Sequence, residues 1–226
     1  PNDAVSRPPD SLRSGGHESS RVGDRRKGRS ASVASVTPGE VVGGRAATQH
    51  LIDHGHRRIA IIQGEEWMDA SRDRLKGYRQ ALASADIAFD GSLVRPGNWE
   101  PSAGFEQTLA LMALPAPPTA IFCSNDLMAL GCYEALKALG LSVPGDVSVV
   151  GYDDREIAQF FHPPLTTVLL PHFDMGAMAV ELLLEQIAAP GKSPPQLKAE
   201  CPLVVRKSAA PPRHRWLFRP NPPHTQ

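Results

Sequence analysis

The sequence predicts an α/β protein built on a doubly wound parallel sheet. Short apolar runs, rich in Ile and Val, alternate along the chain with longer segments whose apolar residues recur at helical spacing. The apolar runs are uninterrupted, which is typical of parallel strands that are buried on both faces. The links between strands and helices are short, so each strand leads directly into a crossover helix.

The predicted elements follow one another in regular order. Helices are predicted at 43–54, 71–84, 101–113, 126–139 and 172–188. Gly55 ends the first helix and Gly140 ends the fourth, as expected for the residue that follows many helices. Strands are predicted at 58–64, 92–97 (weakly), 119–124 and 147–154, with extended chain at 165–171 and a closing strand at 196–205.

Both ends of the chain have the composition of disordered segments. Residues 1–35 are rich in Ser, Arg, Gly and Pro and contain no aromatic residue. Such a segment cannot bury enough apolar surface to offset its ordering entropy, so we predict that it is disordered. Residues 208–226 combine many prolines with the absence of any acidic residue, and this Pro-rich tail is also predicted to be disordered.

Charge and composition argue against several classes of partner. The 24 basic and 24 acidic residues cancel, so the net charge gives no argument for binding to nucleic acid or to an anionic membrane. No stretch approaches the ~18 apolar residues that span a bilayer, so we predict no membrane partner. No apolar segment at the start resembles a signal peptide, and a cytoplasmic location is expected. Three cysteines without metal-ligand spacing are predicted to be buried, reduced thiols: Cys123, Cys132 and Cys201.

Catalytic and cofactor motifs are missing from the sequence. No G-x-G-x-x-G follows a strand, no phosphate loop carries its Lys-Ser/Thr, and there is no G-x-S-x-G elbow. Asp153 and Asp154 are a possible Mg²⁺ pair, but no companion Lys or Ser motif supports that interpretation. His54 and His56 lie at a helix end, where they suit the helix dipole. We therefore predict no enzyme, no catalytic residue, no metal and no cofactor; turnover that depends on Asp153 would favour the alternative, an enzyme acting on a sugar phosphate.

Polar and aromatic side chains follow four successive predicted strands. In an open parallel sheet these positions meet at one edge, where ligands bind. They are Gly64, Glu65, Glu66, Trp67, Ser71, Arg74, Asn98, Trp99, Ser124, Asn125, Asp126, Tyr152, Asp153 and Asp154. Amides, carboxylates and a guanidinium beside indole rings suit a polyhydroxylated ligand. Local explanations stay open, because Asn125 or Asp126 suits a helix N-cap and Arg74 suits a surface ion pair.

Long segments of the sequence resemble the effector-binding half of LacI/GalR-type transcriptional repressors. The resemblance covers residues 43–206, through "HLIDHGHRRIAIIQG", "SRDRLKGYRQAL", "IFCSNDLMALGCYEALKALGLSVPGDVSVVGYDD" and "PPLTTVLLPHFDMGAMAVELLL". It implies a periplasmic-binding-protein-like fold, with two lobes and a ligand cleft between them. The C-terminal lobe, 57–169, would be largely complete. The N-terminal lobe would be truncated, with 43–56 and 172–190 as its remnants.

The resemblance also implies roles for individual residues. Five would contact a sugar effector: Arg74 and Asp153 through hydroxyl groups, Asn125 through its amide, Trp99 by stacking on the ring, and Phe173 by lining the wall. Leu130 and Phe161 would lie at the interface of a homodimer, which would also explain why the 126–139 helix is apolar on nearly all sides.

The departures from the family pattern concern the first part of the chain. Residues 1–42 resemble neither the helix-turn-helix DNA reader nor the hinge helix, so operator DNA would be bound only through a module that these residues lack. Gly39-Glu40 stand where the family usually carries Asp-Asn. We therefore predict the sugar-responsive regulatory part of a LacI-type repressor. A stand-alone sugar-binding protein of the periplasmic class and a non-functional remnant with an exposed apolar patch are the alternatives.

Overall fold

The computed structural model describes residues 34–189 and 194–213. Within them the helices are α1 (Glu40–Asp53), α2 (Asp69–Ser84), α3 (Pro101–Met112), α4 (Asp126–Ala138) and α5 (His172–Ala188). The strands are β1 (Ser35–Pro38), β2 (Ile59–Ile62), β3 (Val94–Arg95), β4 (Ala120–Cys123), β5 (Ser148–Val150), β6 (Thr167–Val168), β7 (Gln196–Ala199) and β8 (Leu203–Val204). Short 3₁₀ turns lie at Gly91–Leu93 and Glu156–Phe160.

The main sheet is parallel and has the strand order β3-β2-β4-β5. Every residue of β2 and β4 is buried, as their uninterrupted apolar runs predict. Alternate residues of these strands point to opposite faces. Ala60 and Ile121 pack with α3 and α4, whereas Ile59 and Phe122 pack with α1 and α2. Two helical layers therefore cover the sheet, and the predicted doubly wound α/β class is confirmed.

Helix α1 differs from its prediction in both start and placement. It begins at Glu40, three residues before the predicted start at 43, and runs through Gly43 and Gly44. Its apolar face, with Ala47 and Leu51 fully buried, packs on α2 and the main sheet. The expectation that 43–56 belongs to the other lobe is therefore corrected, because the partners of this helix lie within the predicted main lobe.

Helix α5 packs on a small separate layer. Strand β1 pairs in parallel with β7, and α5 contacts β1. Within α5 only Leu182 is buried, whereas five large apolar side chains are exposed: Phe173, Val180, Leu183, Leu184 and Ile187. The predicted strand at 196–205 is divided, since β8 pairs antiparallel with β6 instead of continuing β7.

The start of the predicted disordered tail is packed against the main sheet. Ser208 is fully buried, and its hydroxyl accepts a hydrogen bond from the Thr166 N–H and donates to the carbonyl of Val149. The Ala210 N–H donates to the hydroxyl of Ser148. The prediction for 208–226 is therefore wrong for 208–213, because these residues satisfy backbone groups of β5 and its neighbours. Residues 214–226, like 1–33 of the predicted disordered start, lie outside the described residues.

Buried His56 fastens this tail to the main sheet. Its Nε2 donates to the carbonyl of Ala210 at 2.9 Å, and its Nδ1 lies 2.9 Å from Thr119 Oγ1. Burial lowers the pKa of His56 below the ordinary value of 6.5. The folded chain therefore favours the neutral ring, and the unfolded chain binds the proton more readily. Stability from His56 is present above about pH 6.5 and is lost as the pH falls below it.

We expect His56→Gln to reduce the pH dependence of stability. The measurement is urea unfolding of the wild type and the variant at about pH 7.5, 6.5 and 5.5, which bracket the ordinary pKa of His. The wild type should be the more stable at the highest pH, and its advantage should shrink as the pH falls. Taking the difference cancels the titration of His50 and of buried carboxyl groups, which both proteins share. An advantage that stays constant or grows toward low pH would contradict the assignment.

Candidate functional site

Four of the five predicted ligand residues meet at the carboxyl edge of the main sheet. Asn125 follows β4 and Asp153 follows β5, while Trp99 lies between β3 and α3. Arg74 projects from α2, with its guanidinium carbon 3.6 Å from the ring centre of Tyr152 and 5.5 Å from that of Trp99. The parallel topology therefore assembles these side chains, as their positions after successive strands predict.

Arg74 is almost completely buried, with only 3% of its surface exposed. Its Nε donates to Glu40 Oε2 at 2.7 Å and its Nη2 donates to Glu40 Oε1 at 3.0 Å, which makes a bidentate ion pair. Its Nη1 donates to the Ser124 carbonyl and lies 3.5 Å from Asp153 Oδ1. Its guanidinium is thus held by groups of the chain itself, and the pair with Glu40 is not the exposed surface ion pair that the sequence left open.

Glu40 is a site residue that the sequence does not predict. It is the first residue of α1 and is buried, with only 7% of its surface exposed. A carboxylate in the first turn of a helix is favoured by the helix dipole, and the ion pair with Arg74 offsets its loss of hydration. The sequence does carry a signal, since Gly39-Glu40 depart from the family's Asp-Asn pair, but nothing in the pattern indicates that Glu40 contacts Arg74.

Asn125 is the N-cap of α4. Its side-chain oxygen accepts from the Met128 N–H at 2.8 Å, and its amide donates to the Trp99 carbonyl at 2.9 Å. Both polar atoms of its side chain therefore bind within the chain, and the local explanation accounts for them. The same contacts tie the loop that carries Trp99 to the end of β4, so Asn125 positions the indole.

Trp99 and Asp153 are the half-buried members of the group. The indole lies against the backbone of Gly64, where an added Cβ would fall 1.9 Å from the ring, and its N–H donates to the sulfur of Met68. The carboxyl group of Asp153 is 19% exposed. Burial raises the pKa of Asp153 to about 6, while the charge of Arg74 acts in the opposite direction. Asp153 is therefore mostly a carboxylate at neutral pH and can accept hydrogen bonds.

Asp126 stabilises the loops at this edge of the sheet through hydrogen bonds. Its carboxylate accepts from the Thr167 hydroxyl at 2.6 Å and from the Arg155 N–H at 2.8 Å. It does not cap α4, contrary to one local explanation. Burial raises the pKa of Asp126 to about 7, whereas these two hydrogen bonds act to lower it. Asp126 thereby joins α4 to the two chain segments that follow β5.

Asp154 is held by an ion pair with Arg206, whereas its neighbour Asp153 faces Arg74. The Oδ1 atom of Asp154 lies 2.7 Å from Arg206 Nη2. Across the described residues, no group of three or more His, Cys, Asp or Glu side chains is arranged to hold a metal ion. No helix in the described part of the chain has the length and apolar character needed to cross a membrane.

Phe173, the fifth predicted ligand residue, does not join the other four. It lies in the first turn of α5 and is 87% exposed, so it packs on none of them.

The two predicted interface residues, Leu130 and Phe161, line one cavity of about 590 Å³ beside α4. Leu130 is half-buried there, but Phe161 is buried in the chain's own core, edge-to-face with Tyr133 at 4.8 Å. Phe160, which is 64% exposed, presents the larger apolar surface.

Comparison with known proteins places this chain among transcriptional regulators. The family model for the periplasmic binding protein-like domain matches residues 48–209. The ribose operon repressor of Haemophilus influenzae is 37% identical over 173 residues, 76% of this chain and 52% of the relative. The repressor PurR of Histophilus somni is 40% identical over 166 residues, 74% of this chain and 50% of the relative. The chain thus spans about half the length of these curated relatives.

Solved structures show the same fold. The regulator CelR in complex with cellobiose has a TM-score of 0.74 and 40% identity, over 79% of this chain and 55% of that chain. A LacI family regulator from Enterococcus faecium with bound ribose has a TM-score of 0.74 and 30% identity, over 80% of this chain and 66% of that chain. A LacI family regulator from Mycobacterium smegmatis has a TM-score of 0.73 and 34% identity, over 80% of this chain and 67% of that chain. The chain belongs to the LacI family of transcriptional regulators and carries their periplasmic binding protein-like effector domain.

Proposed function

We propose that the carboxyl edge of the main sheet binds a sugar, and that this sugar is the effector of a transcriptional regulator. The observation that carries the proposal is the group formed by Arg74, Trp99 and Asp153. An aromatic face beside a fixed carboxylate suits a ring whose C–H face is apolar and whose rim carries hydroxyls. Relatives whose solved structures contain cellobiose and ribose support the same class of ligand.

The other roles of the regulator are also proposals for this chain. We infer a homodimer that uses the face beside α4, where Leu130 and exposed Phe160 flank the cavity. Exposed aromatic side chains beside a concave surface are a common feature of protein interfaces. Operator DNA would be bound through a DNA-reading module outside the matched region, the location would be cytoplasmic, and the domain would not be an enzyme, since the curated relatives are transcriptional repressors.

Sugar binding is expected to stabilise the chain against heat. A ligand at about 100 times its Kd adds about 2.7 kcal/mol to the free energy of unfolding. For a domain of this size that corresponds to a rise in Tm of about 5–10 °C. The measurement is a thermal-shift panel of neutral mono- and disaccharides that includes ribose and cellobiose. The absence of a shift with every sugar would contradict the proposal.

Two matched variants locate the binding. Asp153→Asn removes the carboxylate, and Asp86→Asn makes the same change at an exposed site remote from the sheet edge. Both positions have positive φ values, 104° and 52°, which Asn tolerates. A hydrogen bond to a charged group is worth about 1.5–3 kcal/mol, so the first variant should bind about 10- to 100-fold more weakly. The second should bind like the wild type, and equal losses in both would contradict the site.

A further inference from the structure

Carboxylates outnumber buried cations at the ligand site, which disfavours the binding of an anion. The site holds one buried cation, Arg74, and two carboxylates within its reach, Glu40 and Asp153. We propose that Glu40 makes this site selective for uncharged hydroxylated effectors and excludes phosphorylated or acidic ones. This inference rests on the proposed function and specifies the class of sugar that the site accepts.

Glu40 occupies the part of Arg74 that an anion would use. A guanidinium binds a phosphate or carboxylate through two parallel N–H groups. In this structure the Nε and Nη2 groups form that fork with the two oxygens of Glu40, at 2.7 and 3.0 Å. An anionic ligand would have to displace the carboxylate of Glu40 and leave it buried without a partner, which is strongly unfavourable.

The remaining donors of Arg74 also face groups of the chain. Its Nη1 donates to the Ser124 carbonyl and faces Asp153. The two aromatic neighbours, Tyr152 and Trp99, shield the guanidinium faces. The buried cation is therefore enclosed by acceptors and rings, and a ligand meets the carboxylate of Asp153 first.

The other charges near Asp153 do not reverse this balance. Arg155 and His172 act on Asp153 electrostatically, but both side chains are exposed, so water screens them. Arg206 is engaged by Asp154. An anion at this edge would meet an excess of negative charge in a partly buried site, where like charges repel more strongly than in bulk water. A neutral hydroxyl group instead donates to Asp153 without that repulsion.

The test compares matched pairs of sugars that differ in charge. Calorimetric titration of the full chain would use ribose against ribose 5-phosphate and glucose against glucuronate. We expect the neutral member of any pair that binds to bind at least tenfold more tightly than its anionic partner. Glu40→Gln frees the fork of Arg74 while keeping the shape of the side chain, and should shift this ratio at least tenfold toward the anion. Equal or tighter binding of the anionic member to the wild type would overturn the inference.

Two further variants separate charge from shape. Glu40→Asp retains the carboxylate and should keep the preference for neutral sugars. Glu106→Gln makes the same change as Glu40→Gln at an exposed position on α3 and should leave the ratio unchanged. If Glu40→Gln does not fold, the wild type and Glu40→Asp must both prefer neutral sugars, and a preference for the anion in either overturns the inference.

Inorganic phosphate provides a second readout. It should raise the Tm of Glu40→Gln more than that of the wild type, relative to chloride at equal ionic strength. An equal response of both proteins to phosphate would count against the role of Glu40. If no neutral or anionic sugar binds the wild type, the proposed function itself is wrong. Tight binding of an anionic sugar would instead rule out only the selectivity for neutral sugars.

Discussion

Replacing Arg74 with Gln is expected to lower the free energy of unfolding by about 3–5 kcal/mol, because it leaves the carboxylate of Glu40 buried without a partner. Both oxygens of Glu40 bind Arg74, and each side chain of the pair is at least nine-tenths buried. The variant also removes the stacking on Tyr152, where the guanidinium carbon lies 3.6 Å from the ring centre. Sugar binding should be lost together with stability, since Arg74 also holds the Ser124 carbonyl and faces Asp153.

The measurement is urea unfolding of four proteins: the wild type, Arg74→Gln, Glu40→Gln and the double variant. The double variant should recover most of the free energy of unfolding lost in Arg74→Gln, because it contains no buried carboxylate at position 40 that lacks a partner. Arg79→Gln is the matched control on the same helix, where the exposed guanidinium lies 4.5 Å from the ring centre of Phe89. It should cost at most about 1 kcal/mol. A loss of less than about 1 kcal/mol for Arg74→Gln, or strictly additive effects in the double variant, would contradict a buried, coupled pair.

The main sheet follows from the sequence because its signals are local and mutually consistent. The runs that become β2 and β4 are apolar at every position, and the structure buries them on both faces. The helices that follow them begin and end within a few residues of their predicted bounds. Where propensity, periodicity and turn residues agree, the sequence is sufficient to assign the element.

The start of α1 and the order of residues 208–213 depend instead on contacts between segments that are distant in the sequence. The predicted helix starts at Gly43, yet α1 begins three residues earlier, at Glu40. A Cβ at Gly44 would fall 2.5 Å from the Arg74 carbonyl of α2, and one at Gly43 would fall 2.3 Å from the Tyr152 hydroxyl. The two glycines therefore serve the close packing of α1 on α2 and on Tyr152. Likewise, the tail at 208–213 contains no periodic pattern, and it is ordered by hydrogen bonds to β5 that composition cannot reveal.

The meeting of Arg74, Trp99, Asn125 and Asp153 follows from the sequence, but their contacts do not. Trp99, Asn125 and Asp153 follow successive strands, and Arg74 lies on the helix after β2, so the topology of a parallel sheet brings them to one edge. Which atoms bind one another does not follow from topology. Asn125 uses both ends of its amide within the chain, and Glu40 neutralises Arg74 from a helix that the sequence assigned elsewhere. The sequence therefore predicts which residues meet at this edge of the sheet more firmly than it predicts their contacts.

Two helical glycines hold α3 and α4 closer together than any larger residue would permit. A Cβ at Gly131 of α4 would lie 1.8 Å from the carbonyl oxygen of Pro101, and one at Gly104 of α3 would lie 2.0 Å from that of Met128. Both obstacles are backbone atoms, which no side-chain rotation can move. Gly in a helix interior costs about 0.5–1 kcal/mol relative to Ala, so at these positions close packing offsets that cost.

Gly131→Ala is therefore expected to destabilise the chain by about 3 kcal/mol or more, at or above the upper end of the usual range for overpacking. The matched control is Gly176→Ala in α5, where nothing lies within 4 Å of the added Cβ and helix propensity should raise stability by about 0.5–1 kcal/mol. The same chemical change should thus lower Tm by about 6–12 °C in one helix and raise it slightly in the other. Because α4 begins at the Asn125 cap that positions Trp99, forcing α3 and α4 apart should also weaken sugar binding. A Gly131→Ala protein that melts at or above the wild-type temperature would contradict this prediction. It would show that α3 and α4 can move apart without cost, and that their close packing does not hold the Asn125 cap and Trp99 in place.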